Sequence, residues 1–549
     1  MATPEEPKAL SPPQAPGVPS PVAERGSYRW VVLGLVMMGT LMAILDASIV
    51  NVALPHMMSA FGVSRDDIEW VSTAFMLATA VAMPLVGWLA SRLNHRRLYL
   101  GSLALFTAGS AACAFAWSYD ALIAARVIQA VGGGAIQPVG MAIVADLFEP
   151  HERGRALGIW GTGIMVGPAL GPTLGGYLTD WFNWRVIFSV NLPFGALTLL
   201  AGLAIMRREA PRGGRRVPFD AWGFAFLSLA LVSGLLALAN GQDEGWHSSY
   251  VTIRLALAVA GLVLFLAVES SSAAPLLDLS LFRIHNFSLS MALAVFRSVG
   301  LFGGVFLLPI FLENLVGYTT IQTGLWMMPG AVAVGLMMPV AGQMADRYQP
   351  RWLVAFGALV TGVSLLMYGD LDPLSGPLTI IGPQVLRGAG LAFMMSPLIT
   401  AAINAVPRPM VATASSFLNV AQRVGGAFGI ALLNTIITNA IRVHAVRIGA
   451  RIPVQSVPYQ RLVGHAAGGR WPRSGTALAG HARQLAARAI QQRATVMGFQ
   501  GGFVTAGLIL LASLPLCLLL RPLAAGPAPE REPQHSPKSV QDRGPVPGS

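Results

Sequence analysis

Apolar runs of about 20 residues recur along this chain, and that repetition limits its fold more than any other feature. As a helix rising 1.5 Å per residue, each run is long enough to cross roughly 30 Å of hydrocarbon. Inside lipid every backbone N–H and C=O needs a partner within its own helix or within a closed barrel, and runs of this length select the helix. Spans are read near 30–54, 68–90, 98–118, 121–147, 155–178, 184–206, 219–240, 250–269, 287–313, 322–344, 352–369, 378–404, 411–434 and 497–521, about fourteen in all. The composition agrees: 54% of the 549 residues are hydrophobic and only 11% are Asp, Glu, Lys or Arg, against about 25% charged in an ordinary soluble domain. A typical water-soluble fold is excluded, and an all-α polytopic membrane protein is expected. The 60 glycines and 38 prolines suit it, because small residues let membrane helices approach and broken helices are tolerated around a cavity.

The net charge of +12 does not imply a nucleic-acid partner, because the basic residues gather in short loops between spans, where they set orientation. With the N-terminus cytoplasmic, the inward loops hold Arg92, Arg96 and Arg97; Arg153 and Arg155; Arg207, Arg208, Arg212, Arg215 and Arg216; and Arg347 with Arg351. The outward loops hold far fewer, and an even number of spans returns the C-terminus to the same side. Residues 1–29 are Pro-rich without an apolar core and read as a disordered cytoplasmic tail, as do 522–549. Cys113 and Cys517 both lie in apolar spans, so no disulfide framework is implied. Residues 435–495 interrupt the rhythm and read as a long external loop, rich in arginine and free of Asp and Glu, with His481 to Arg493 a candidate amphipathic helix. Long loops translocate largely regardless of their charge.

An internal repeat is visible. Gly87-Trp-Leu-Ala-Ser-Arg-Leu-Asn-His-Arg-Arg97 follows the second span, and Gly342-Gln-Met-Ala-Asp-Arg-Tyr-Gln-Pro-Arg351 follows the tenth. Residues 30–206 and 271–521 are therefore read as related six-helix halves, separated by a cytoplasmic linker at 207–218 and an inserted helix pair at 219–270. Many secondary transporters place related halves around a central site. Gly87, Arg92, Arg96, Asp346 and Arg347 become candidate gating residues.

Asp46 lies well inside the first span, in Leu45-Asp-Ala-Ser-Ile-Val-Asn-Val-Ala-Leu-Pro55, where inserting a charge costs about 2.5 to 3.5 kcal/mol. One reading makes it a carboxyl satisfied by neighbouring helices. The other makes it a proton carrier, loading and unloading as a cavity alternates between the two sides. Arg126, in Arg126-Val-Ile-Gln-Ala-Val-Gly-Gly-Gly134 of the fourth span, stays charged at any accessible pH and demands compensation, by carbonyls or within a proton-coupling site. Glu313 ends the ninth span, either as an interfacial acid or as a cavity acid that draws cations or protons.

Gly163, Gly167, Gly171 and Gly175 recur every four residues along one ridge of the fifth span, where Pro168 and Pro172 each remove a backbone hydrogen bond. Such a ridge admits another helix closely, as a static interface or as a surface that slides and flexes. Asn51, Phe75, Met76, Gln129, Gln137, Phe302, Phe306, Phe393 and Met394 are candidate cavity residues, since aromatic and methionine surface suits apolar ligands. No Gly-x-x-x-x-Gly-Lys-Ser/Thr loop, second zincin histidine or Ser, His and Asp constellation stands out. Neither an enzyme, a cofactor nor a metal site is expected.

Together these residues resemble the fourteen-helix drug:proton antiporter branch of the major facilitator superfamily, the EmrB/QacA type, from about Arg29 to Arg521. Leu45 to Pro55 matches its first-span pattern and Gly163 to Gly176 its antiporter motif. Trp184-Arg-Val-Ile-Phe188 with Asn191-Leu-Pro193, Phe219-Asp220 and Pro275-Leu-Leu-Asp-Leu-Ser-Leu-Phe282 add to the match. The resemblance implies the major facilitator fold, two six-helix halves plus two inserted helices, in a bacterial plasma (inner) membrane. It implies a proton-coupled exporter of small amphipathic or toxic compounds, with Asp46 in a proton- or substrate-linked role and Arg126 as the arginine of the fourth-span motif. The partners expected are the lipid bilayer, a small-molecule substrate and protons; a periplasmic adaptor with an outer-membrane channel is a candidate through the basic segment 435–495. An uptake carrier and a dedicated metabolite or fatty-acid exporter of the same superfamily remain alternatives, and a multi-pass membrane enzyme has less support. Four positions depart from the family pattern: Ser91 stands for Asp, Asn94 and Ala130 for Gly, and Glu313 for Gln.

Overall fold

The computed structural model describes residues 21–207, 218–272, 275–450 and 475–522, and the regular structure among them is entirely helical. A first set comprises α1 (Pro21–Phe61), the bent pair α2 (Arg65–Ala82) and α3 (Leu85–Arg92), α4 (His95–Ala114), α5 (Tyr119–Leu147), α6 (Arg153–Trp181), and α7 (Val186–Ser189) running into α8 (Asn191–Ile205). Next, α9 (Ala221–Asn240) and α10 (Ser249–Ser271) pack against each other. The second set comprises α11 (His285–Val305) with α12 (Leu307–Phe311), α13 (Thr320–Arg347), α14 (Pro350–Leu366), α15 (Pro377–Asn404), α16 (Val411–Ala450), and α17 (Gly475–Leu511) with α18 (Leu514–Leu518).

Local chemistry marks where these helices start and bend. Ser64 with Asp67, and Thr319 with Gln322, form reciprocal capping boxes at the starts of α2 and α13, while Ser118 and Ser248 cap α5 and α10. Each cap satisfies amides that a helix start leaves open and is worth about 1 kcal/mol. Pro84 stands between α2 and α3, which meet at 50°, as expected where a proline interrupts the hydrogen-bond ladder.

Eleven helices among the described residues are long and apolar enough to cross a membrane, or up to twelve if the bent pair is one span. The sequence reading of about fourteen also counted α4 and α6, helices of 20 and 29 residues long enough to span at 1.5 Å per residue. They fall short on apolarity: α6 is dense in glycine and α4 begins His95-Arg-Arg97. Both are packed within the bundle, α4 against α5 and α8, and α6 between α1 and α13.

Contacts between the two sets are reciprocal. The fifth rod of the first set, α6, lies along α13, the second rod of the second set, and α16, the fifth rod there, meets α3 and α5. Such pairing is what two related halves facing each other across a two-fold axis produce. The inserted pair sits at the periphery, where α10 exposes Ile253, Val259 and Val263, an apolar face suited to lipid.

Three boundaries differ from the sequence reading. Residues 21–29, expected in the tail, are the first turns of α1. Residues 435–450 and 475–495, expected in an external loop, extend α16 and α17, which pack along each other. Residues 435–450 and 475–495 contain no proline and are rich in Ala, Arg and Gln, good helix formers that continue a helix already nucleated in the membrane. The rest of the expected tails, linker and loop, at 1–20, 208–217, 451–474 and 523–549, lies outside the described residues.

Candidate functional site

Asp46 on α1 and Arg126 on α5 are 0% and 1% exposed. Arg126 Nη1 donates to Asp46 Oδ2 at 2.6 Å, and Gln129 Nε2 and Asn191 Nδ2 donate to Oδ1 at 2.9 and 2.6 Å. Ser110 Oγ on α4 accepts from both amides, at 2.6 and 3.1 Å. Arg126 also donates to Gln129 Oε1 at 2.6 Å and to the Val71 carbonyl at 3.2 Å, and its guanidinium carbon lies 4.0 Å from the Phe75 ring centroid. Five helices thus converge on one ion pair. Both partners are desolvated, so the attraction is strong, and removing either one strands a bare charge.

Beside this network a cavity of about 780 Å³ lies between the two sets, within the range of about 300–1,000 Å³ usual for small-molecule sites. Its first wall carries Thr40, Ser48 and Asn51 of α1, Gln137 of α5 and both prolines of α6; its second carries Phe302, Met327, Arg387, Gln422 and Arg423. Asp46 does not line it. Phe75 does, and the same ring covers the Arg126 guanidinium, so one aromatic layer stands between the ion pair and the cavity. The cavity reaches Pro55, Glu313 and Gly324, at the end of the bundle opposite the basic loops.

At the basic end the two sets are clamped together. Glu152 precedes α6 without a side-chain cap, and Asp346 of α13 takes over that task, its Oδ1 and Oδ2 accepting from the Gly154 and Arg155 amides at 2.7 and 2.8 Å. A carboxylate at a helix N-terminus meets open donors and the positive end of the helix dipole. Arg153 Nη1 donates to Asn404 Oδ1 at 2.9 Å, and Ser416 Oγ to the Met83 carbonyl at 2.5 Å. On the reciprocal side Ser91, at the repeat position of Asp346, donates to the Trp88 carbonyl of its own helix. The departure from the family pattern therefore leaves Asp346 as the repeat's carboxylate clamp across the two sets.

A prediction follows for this clamp. Asp346→Asn removes the charge and one acceptor, a loss of about 1–2 kcal/mol of closure. Ser396 is fully buried behind it and donates to the Gly154 carbonyl at 3.4 Å. A cysteine placed at Ser396 is expected to be alkylated roughly tenfold faster in the Asn variant; an unchanged rate would mean that Asp346 does not hold this end shut.

The glycine ridge meets the helix that carries Asp46. A Cβ at Gly167 would come within 2.8 Å of Ile44, and one at Gly175 within 2.9 Å of Ile49, while Gly163 and Gly171 face Met37 and Ser48 of the same helix. Nearer the basic end, a Cβ at Gly158 would meet the Met338 carbonyl of α13 at 2.5 Å. Helix α6 is thus pressed against α1 along one stretch and α13 along another.

The remaining expected site residues divide. Asn51, which accepts from Ser72 Oγ at 2.8 Å, lines the cavity with Phe75, Gln137, Phe302 and Glu313. Gln129 lies in the Asp46 network instead. Met76 packs toward Leu235 and Leu236, Phe306 into the core beside α17, Phe393 edge-on to Phe356, and Met394 is fully buried near Leu398; none of these four lines the cavity. Their spans are apolar on every side, so residue type alone does not fix which way a side chain points. Gly87 does face the other set, at Thr413. Arg96 bonds the Leu203 carbonyl and Arg92 covers Trp88, both within the first set, and Arg347 is exposed.

Sequence reasoning passed over Ser110, Arg387, Gln422 and Arg423, and met Asn191 only as part of a family pattern. One signal was present. Gln384-Val-Leu-Arg387 in α15 repeats Arg126-Val-Ile-Gln129 in α5 with its ends exchanged, and in both the arginine bonds the glutamine three residues away.

The family model for the Major Facilitator Superfamily matches residues 36–430. The chain is 35% identical over 401 residues to the multidrug resistance protein Stp of Mycobacterium tuberculosis (strain ATCC 25618 / H37Rv), covering 73% of this chain and 74% of that one. It is 31% identical over 433 residues to the multidrug export protein EmrB of Escherichia coli (strain K12), covering 78% and 84%. Among solved structures, the human organic anion transporter MFSD10 (TETRAN) superposes with a TM-score of 0.58 over 89% of this chain and 99% of that one. At 16% identity that likeness concerns the fold alone. With the family match over most of its length, and with its helices arranged as that fold arranges them, this chain belongs to the major facilitator superfamily.

Proposed function

We propose that the chain is a proton-coupled exporter of small amphipathic compounds, working by alternating access. The observation that carries the reading is the Asp46–Arg126 pair: an ionisable group deep in the first span, one aromatic layer from the cavity, on the helix that rides the glycine ridge of α6. A proton arriving at Asp46 Oδ2 turns that oxygen from acceptor to donor and breaks the bond from Arg126 Nη1. The freed guanidinium keeps Gln129 Oε1 and the Val71 carbonyl but loses its counter-charge, and relief of that charge is the force available to move α1 against α6. With the basic loops cytoplasmic, the clamped end faces the cytoplasm and the cavity reaches toward the outside, which is the state in which an exporter releases cargo and takes up a proton.

The energy is adequate. One charge crossing 100 mV releases about 2.3 kcal/mol and one pH unit adds about 1.36 kcal/mol, enough for a gradient of several hundredfold at about 1.4 kcal/mol per tenfold. The similarity to multidrug resistance and multidrug export proteins supports export over uptake. Inside-out vesicles test the direction. Acidifying their lumen is expected to drive substrate inward, and an uncoupler to abolish that accumulation. Accumulation driven only in right-side-out vesicles would identify an uptake carrier instead.

A further inference from the structure

The two walls of the cavity treat their buried cations differently. In the first set Arg126 is neutralised by Asp46. In the second, Arg387 occupies the fourth rod as Arg126 does in the first, is 4% exposed, and lines the cavity. Its Nε and Nη2 both donate to Gln384 Oε1, at 3.0 and 2.6 Å, while Nη1 is buried without a partner. The guanidinium lies against Gly304, where a side chain of any size would displace it. Two further arginines stand on this side. Arg423 of α16 lines the cavity with its Nε unpartnered, and Arg297 of α11, 3% exposed, reaches Gln422 Oε1 at 3.2 Å and also leaves Nε unpartnered. Among the described residues none of the three forms an ion pair with a carboxylate.

Depth makes this unusual. Arg387 lies ten residues into α15, about 15 Å from the helix start, and Arg423 and Arg297 each lie twelve residues into their helices, about 18 Å. Charges at that depth face a water-filled cavity or a counter-ion. Among the described residues that line the cavity the only acid is Glu313, nine residues beyond Gly304 in the chain, and it forms no ion pair with Arg387 there. Glu313 belongs to the mouth, and the arginines to the floor.

We propose that this cavity takes an amphipathic organic anion, its acid group seated on Arg387 and Arg423 and its apolar body against Phe302, Met327 and Met165. Planar guanidinium groups are suited to carboxylate, sulfonate or phosphate, and Gln422 and Asn419 offer neutral donors beside them. Arg297, one layer behind, holds Gln422 and adds to the positive potential. This assignment rests on the cavity being the transporter's substrate site, but not on proton coupling.

Equilibrium binding to the full chain in lipid nanodiscs, without any gradient, tests it separately from export. The probes are three matched pairs of increasing size: 2-naphthoate, 1-pyrenebutyrate and dodecanoate, each with the trimethylammonium compound of the same skeleton. At least one anion is expected to bind more tightly than about 1 mM and at least tenfold more tightly than its cation partner. Arg387→Gln is expected to weaken that anion at least tenfold, as loss of a charge-assisted hydrogen bond does. Equal or tighter binding of the cations, or binding of no anion at about 1 mM, would overturn the assignment even if Arg387→Gln fails to fold, because both comparisons use the native protein. Anion binding without proton-driven flux would leave the assignment standing and remove the export reading.

Discussion

Asp46→Asn is expected to abolish proton-driven flux and to cost about 3–5 kcal/mol of stability, the range seen when one partner of a buried ion pair is removed. The substitution is nearly isosteric, so the loss comes from charge. Arg126 is left at 1% exposure without a counter-charge, with only Gln129, the Val71 carbonyl and aromatic faces around it. The informative variant is the double one. Asp46→Asn with Arg126→Gln removes both charges and keeps amide groups at both positions, and replacing a whole buried pair is often close to neutral. Thermal unfolding should therefore return most of the way toward the native value. Flux should not return, because no titratable group remains at the site. A purely structural pair predicts that stability and flux recover together. Recovery of proton-driven flux in the double variant would show that coupling resides elsewhere.

Gly158→Val is expected to force α6 and α13 apart. A Cβ there meets the Met338 carbonyl oxygen at 2.5 Å and the Gly342 Cα at 3.2 Å. These are backbone atoms and cannot rotate aside, so the two helices must part. Overpacking of this kind costs about 1–3 kcal/mol, or roughly five- to 150-fold in the population of the clamped state. Spin labels at Arg155 and Tyr348, both exposed at this end, are expected to move apart in the variant, and flux to fall by a similar factor. An unaltered distance distribution would show that the contact is not needed for closure. Gly167→Val presses on the Ile44 side chain of α1 instead, so it should impair flux without opening the basic end.

Much of the architecture was legible because its signals are local. A run of apolar residues is such a signal; the caps that set where α2, α5, α10 and α13 start are equally local but went unread. The repeat at Gly87 and Gly342 located both clamped loops. Its limit is Ser91, which the repeat aligned with Asp346 but which turns back onto Trp88. The extensions of α16 to Ala450 and of α17 from Gly475 were hidden because polar, arginine-rich sequence reads as loop when hydropathy is the guide. Helix propensity, together with packing of one helix along the other, overrode that reading.

The candidate site divides in the same way. Asp46 and Arg126 drew notice alone, because an ionised group within an apolar span is costly wherever it points. That they pair with each other, 80 positions apart and jointly with Asn191 and Ser110, depended on the packing of α1, α4, α5 and α8. Met76, Phe306, Phe393 and Met394 looked as suitable for the cavity as Phe75 and Phe302, and only rotation of their helices separated them. By itself the sequence determined a helical membrane protein with ionisable groups buried in its spans, since transfer of backbone and charge into hydrocarbon is costly in any arrangement. Only the tertiary structure decided which charges are neutralised and which face the cavity: a helix apolar on every side carries no mark of its inward face until its neighbours surround it.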